Sequence, residues 1–145
     1  MKHEEIEKLK KAGSIASEVV KYAKSIIKKD APLLEIAEKL EEKIISLNAK
    51  PAFPVNLSIN EIAAHSTPAY NDTAKAHGLL KVDIGVHIDG YIADTAFSVD
   101  LENSEENKNL IKAAESARDS ALEKMKMKIK LKEIGSIIEK ICSSF

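Results

Sequence analysis

The 145 residues include one cysteine, no tryptophan, five glycines and four prolines, and only 4% are aromatic. A lone Cys142 cannot close an internal disulfide, and without an export signal a reducing cytoplasm is the simple expectation. On its helical segment Cys142 reads as a small apolar residue rather than a nucleophile, since no histidine lies near it in sequence. No apolar run approaches the length of a membrane span. MKHEEIEKLKK lacks the apolar stretch of a secretory signal and is too acidic for a transit peptide. Net charge is nearly absent too: 22 basic and 23 acidic residues leave −1, which gives no reason to expect a nucleic acid or membrane surface as partner. There is no repeat at a fixed period and no low-complexity linker. What remains is an ordinary globular composition, 44% apolar and 31% charged, long enough for one domain or part of a larger one.

Helical spacing opens the chain. Ile6, Leu9, Gly13, Ala16, Val20, Ala23 and Ile27 fall three or four apart among lysines and glutamates, predicting a helix over 3–28. Asp30-Ala31-Pro32 breaks it, and Pro32 suits the first turn of a second helix with an apolar face of Leu33, Ile36, Ala37, Leu40, Ile44 and Leu47. The short connection predicts a helical hairpin packed on something flat. The pattern then changes. PVNLSINEIAAH alternates well enough for two short strands around a turn near Ser58-Ile59-Asn60. Ser58 and Glu61 also match a capping box, but the following AAHSTPAYND cannot sustain a helix.

Lys81–Asp100 carries the strongest strand signal, with Asp89-Gly90 as a two-residue hairpin turn. Asn103 or Ser104 can cap a helix bearing Leu110, Ile111, Ala114, Ala117, Ala121, Leu122 and Met125. A break near Lys128–Leu131 precedes a last helix with Leu131, Ile134, Ile138 and Ile141. Two helices, about four strands and two helices predict an α+β fold, an antiparallel sheet with helices packed on one face.

The hairpin turn fixes which residues meet. Ile88 faces Tyr91, His87 faces Ile92, Gly85 faces Asp94 and Asp83 faces Ala96. Side chains alternate, so Asp83, Gly85 and His87 share one face with Ile92, Asp94 and Ala96. The other face carries Val82, Ile84, Val86, Ile88, Ala93, Thr95 and Phe97 and should meet the helices. Asp83 and Asp94 become diagonal neighbours about 7–8 Å apart between Cα atoms. Gly85 opposite Asp94 predicts an empty slot between two acids. Two readings stand: a site for divalent cations, which sit about 3.5–4 Å apart in dinuclear hydrolytic centres, or a solvated acidic face on an ordinary sheet. Without a cation, two close carboxylates repel and one takes a proton.

VDIGVHIDGYIADTAF (82–97) resembles the first metal-ligand hairpin of the type 2 methionine aminopeptidases in their archaeal form. FPVNLSINEIAAHSTPAYND (53–72) resembles the segment that precedes it in that family. The resemblance implies a pita-bread fold of two pseudo-symmetric α+β halves, of which residues 1–145 would be the N-terminal one. It implies removal of the N-terminal methionine from nascent polypeptides by a water activated at a dinuclear metal centre, with cobalt, manganese, iron or zinc all acceptable. Residue by residue, it makes Asp83 a chelating and Asp94 a bridging metal ligand. His65 would hydrogen-bond near the scissile peptide, and Phe53 would form an aromatic wall of the methionine pocket. Taken outside the family, His65 reads as a structural histidine at a strand end and Phe53 as a core aromatic. His77 and His87 match no catalytic position of that family, and His3 sits on a solvated helix end.

The family's remaining ligands, a histidine and two glutamates, belong to the second half, which this sequence does not contain. That implies a chain inactive by itself, needing a complementary half. The alternative is a non-catalytic module of the same fold that binds a protein or RNA partner. Half of a layered fold also predicts exposed apolar sheet surface, hence self-association.

Overall fold

Asp89 and Gly90 both take positive φ, 51° and 85°, as the tight hairpin turn requires. They join two ten-residue strands in a computed structural model that describes residues 1–126 and 128–145. The chain runs α1 (His3–Ile26), α2 (Leu33–Ser46), β1 (Lys50–Pro51), β2 (Asn56–Ile59), β3 (Leu79–Ile88), β4 (Tyr91–Asp100), α3 (Glu105–Lys124) and α4 (Leu131–Cys142). It divides into two units, Met1–Glu102 and Asn103–Phe145.

In the first unit all strand pairings are antiparallel, and β3 is central. The whole of β4 lines one edge in the expected register, including Gly85↔Asp94 and Asp83↔Ala96. β2 and β1 share the other edge. Between the pairs Lys50↔His87 and Asn56↔Asp83 the register slips by two residues. Two residues of the 52–55 segment are therefore looped out of the ladder, next to Ala52, whose N–H still donates to Gly85 O at 2.9 Å. Pro54 has no N–H to contribute there.

The apolar face lies where the alternation puts it. Leu80, Val82, Ile84 and Val86 are fully buried against Ala16, Val19 and Ala23 of α1 and Ile36, Leu40 and Ile44 of α2. Each fully buried aliphatic side chain contributes about 1.5–3 kcal/mol. Pro32 stands at the N-cap of α2 rather than inside its first turn, after Asp30 turns the chain at φ 65°. The link is tied to the far end of the loop before β3: Asp30 N–H donates to Ala76 O (2.8 Å) and Leu33 N–H to Ala74 O (2.9 Å).

Two expectations are corrected here. Only the first of the two short strands forms. Asn60 at φ 49° turns the chain off the sheet, its Oδ1 accepting Leu79 N–H, and residues 60–78 run as an irregular loop. The apolar sheet face is not left open, because α1 and α2 cover it; the exposed large apolar residues of this unit include Ile62, Tyr70 and Ile92, away from that face.

In the second unit Ser104 caps α3, its hydroxyl accepting Asn107 N–H, and α3 packs against α4. Cys142 ends α4 and is exposed. Among the described residues no helix is long and apolar enough to cross a membrane.

Candidate metal centre

Asp83 comes from the middle of β3 and Asp94 from β4, two pairs from each other along the ladder and on the same face. Asp94 is exposed and Asp83 half-buried. Asp83 Oδ1 is shut off from solvent and has no hydrogen-bond partner. Burial, first, and then the charge and hydrogen bond of Asp94 hold the Asp83 carboxyl above the usual aspartate range; His65 acts weakly the other way. Asp94 is thus near enough for its charge to raise Asp83, and His65 near enough for its charge to act the other way.

The predicted empty slot at Gly85 is filled. A Cβ built on Gly85 would lie 2.3 Å from Phe53 Cε1 and 2.6 Å from its Cδ1. The looped-out segment swings the Phe53 ring onto the acidic face, directly over Gly85 and so opposite Asp94. The glycine makes room for the ring, not for an ion beside the sheet. Phe53 thereby shares the face of the sheet that carries Asp83 and Asp94.

His65 sits in the loop after β2 at φ 62°, a conformation that costs a non-glycine residue energy and persists where surroundings impose it. His87 shares the acidic face, and its Nδ1 accepts Gly90 N–H at 3.1 Å. His3 and His77 are exposed. Lys81, on the same face, donates to Asn60 O, and burial pulls its ammonium pKa down. Reading the hairpin alone misses Asn56, nearly buried and directly opposite Asp83, and Thr67, which bonds to it. The β2–β3 register that brings Asn56 there follows from the two-residue slip, which no local pattern announces.

The donors suit a divalent cation. Ionised carboxylates are oxygen ligands, one oxygen is already shut off from solvent and unpartnered, and a cation would offset the burial and the Asp94 charge that raise Asp83. The set is short, however. Among the described residues no group of three or more histidine, cysteine, aspartate or glutamate side chains is arranged to hold a metal ion. The pair can hold one side of a metal centre and leaves the other side open.

Residues 7–145 match metallopeptidase family M24. A methionine aminopeptidase from Pyrococcus abyssi (strain GE5 / Orsay) is 50% identical over 137 residues, which cover 93% of this chain and 46% of that protein. One from Methanothermus fervidus is 44% identical over 153 residues, covering 97% of this chain and 81% of that protein. The crystal structure of methionine aminopeptidase from Rickettsia prowazekii superimposes with a TM-score of 0.89 at 25% identity, covering 99% of this chain and 61% of that one. The chain spans about half the length of the Pyrococcus abyssi relative. Sequence and fold agree with the acidic pair in implying dependence on divalent metal: the chain belongs to metallopeptidase family M24 and has the α+β architecture of the pita-bread fold.

Proposed function

We propose that residues 1–145 supply one of two pseudo-symmetric halves of a methionine aminopeptidase, acting in the cytoplasm on the N-terminal methionine of nascent polypeptides. The observation that carries this reading is the acidic pair itself: two carboxylates on one sheet face, one with a buried, unpartnered oxygen. Asp83 and Asp94 would be this chain's ligands to two divalent ions. Bound there, the ions would supply Lewis acidity to the scissile carbonyl.

The chain's own residues do the rest. Asp83 gives up the proton that burial and Asp94 favour, so that both carboxylates present charge. His65 donates a hydrogen bond to the carbonyl oxygen as it gains negative charge, an interaction typically worth about 3 kcal/mol in the transition state. Phe53, seated over Gly85, offers a flat apolar wall to an unbranched thioether. The remaining ligands come from a complementary half.

The test is methionine release from a Met-Ala-Ser peptide with manganese or cobalt, using the chain alone and together with a polypeptide carrying the complementary ligands. Cleavage in the combined sample, abolished by Asp94→Asn, is expected. Cleavage indifferent to Asp94→Asn would overturn the assignment. A second reading, a non-catalytic module binding a protein or RNA, draws on the shortness of the ligand set among the described residues. It predicts no measurable manganese uptake.

A further inference from the structure

On the acidic face, Asn56 stands directly opposite Asp83 with 8% of its surface exposed. A buried carboxamide needs partners. Pro54 O can only accept, so the amide nitrogen must face it, at 3.2 Å. Oδ1 then faces Thr67, whose hydroxyl lies 3.2 Å away. The same hydroxyl lies 3.4 Å from Val55 O, its single proton shared between two acceptors. None of these partners is Asp83, whose Oδ1 remains unpartnered. The carboxamide is spent on the loop, not on the acid beside it.

One residue earlier, Ser66 O accepts Leu57 N–H at 2.7 Å. Residues 66 and 67 are thus held on β2 by main chain and side chain together. His65, at φ 62°, immediately precedes this clamp. The other end of the same excursion is pinned as well: Asn60 Oδ1 accepts Leu79 N–H at 2.9 Å, and Lys81 Nζ donates to Asn60 O. The left-handed conformation of His65, costly for a non-glycine residue, thus sits directly against the fixed Ser66.

We infer that Asn56 and Thr67 are positioning residues: they form a latch that holds His65 beside the Asp83–Asp94 pair. This rests on the role given to His65 above, but its test does not depend on activity. In the full chain, Thr67→Val removes the hydroxyl while keeping the branched shape, and Thr67→Ser keeps the hydroxyl. Amide hydrogen exchange at Leu57 reports the clamp; the Cα, Cβ and imidazole NMR shifts of His65 report its backbone and placement.

Thr67→Val should speed Leu57 exchange about tenfold and move the His65 signals toward unstructured values, with Leu80 and Val82 amides unchanged. Thr67→Ser should restore both. Asn56→Ala should reproduce Thr67→Val at His65. Wild-type His65 shifts and Leu57 exchange in Thr67→Val would overturn the latch. So would equal loss in Thr67→Ser, which would mark a packing effect. If the latch holds but Asp94→Asn leaves peptide cleavage unchanged, the functional reading fails and the latch stands.

Discussion

On one face of the β3–β4 hairpin, Val82, Ile84 and Val86 are fully buried beneath α1 and α2. On the other, Ile92, Asp94 and Ala96 are exposed and Asp83 is half-buried with one oxygen unpartnered. The same strands, in one register, build both. The first face is satisfied by contacts available in any well-packed core; the second carries an electrostatic debt that only a cation or a proton settles. Stability should therefore reside in one face and ligand binding in the other, and each can be attacked without the other.

The largest effect is expected on the apolar side. Ile84→Ala removes a fully buried side chain and should cost about 2–5 kcal/mol by urea denaturation, with the cation affinity of the folded fraction unchanged. On the acidic side, Asp94→Asn should weaken manganese binding by more than about a hundredfold, the upper end of what is lost when a group that only orients a ligand is removed, with stability unchanged or slightly raised.

Gly85→Ala links the faces through Phe53. The added methyl meets the ring at 2.3 Å, so overpacking should cost about 1–3 kcal/mol. In a Phe53→Ala background the same substitution should cost much less, and a double-mutant cycle reads the difference. Equal costs in both backgrounds would remove the ring from its seat over the glycine.

A smaller effect follows from pH. The folded, cation-free chain binds the Asp83 proton more tightly than the unfolded chain does. The stability this lends is complete below the ordinary aspartate value of 3.8 and is lost as pH rises through the raised folded value. Manganese needs the ionised pair, so its affinity should rise with pH across that interval and then level off. Denaturation curves with and without manganese at several pH values test this; an affinity that falls as pH rises would contradict it.

How much of this was legible depends on where the determining contacts lie. Asp89-Gly90 is a local signal, and a two-residue turn leaves one register for β3 and β4, so the face shared by Asp83 and Asp94 could be read from the sequence. The helices followed from apolar spacing to within a residue or two at their ends. β1 was invisible as an element because Lys50-Pro51 is too short to show alternation. Phe53 over Gly85 was misread as an empty slot, since a missing Cβ looks the same whether it makes room for an ion or for a ring brought from 32 positions away. The roles of Asn56 and Thr67 were hidden for a related reason: a two-residue slip between distant pairs decides that Asn56 faces Asp83. Family resemblance, not spacing, pointed to His65, whose loop has no regular pattern.

Manganese titration of the wild-type chain beside Asp83→Asn and Asp94→Asn, followed by calorimetry at neutral pH, tests the central claim most directly. Saturable uptake by the wild type, lost in both variants while their folds persist by circular dichroism, is the predicted result. No saturable uptake by the wild type, or undiminished uptake by either variant, would contradict it.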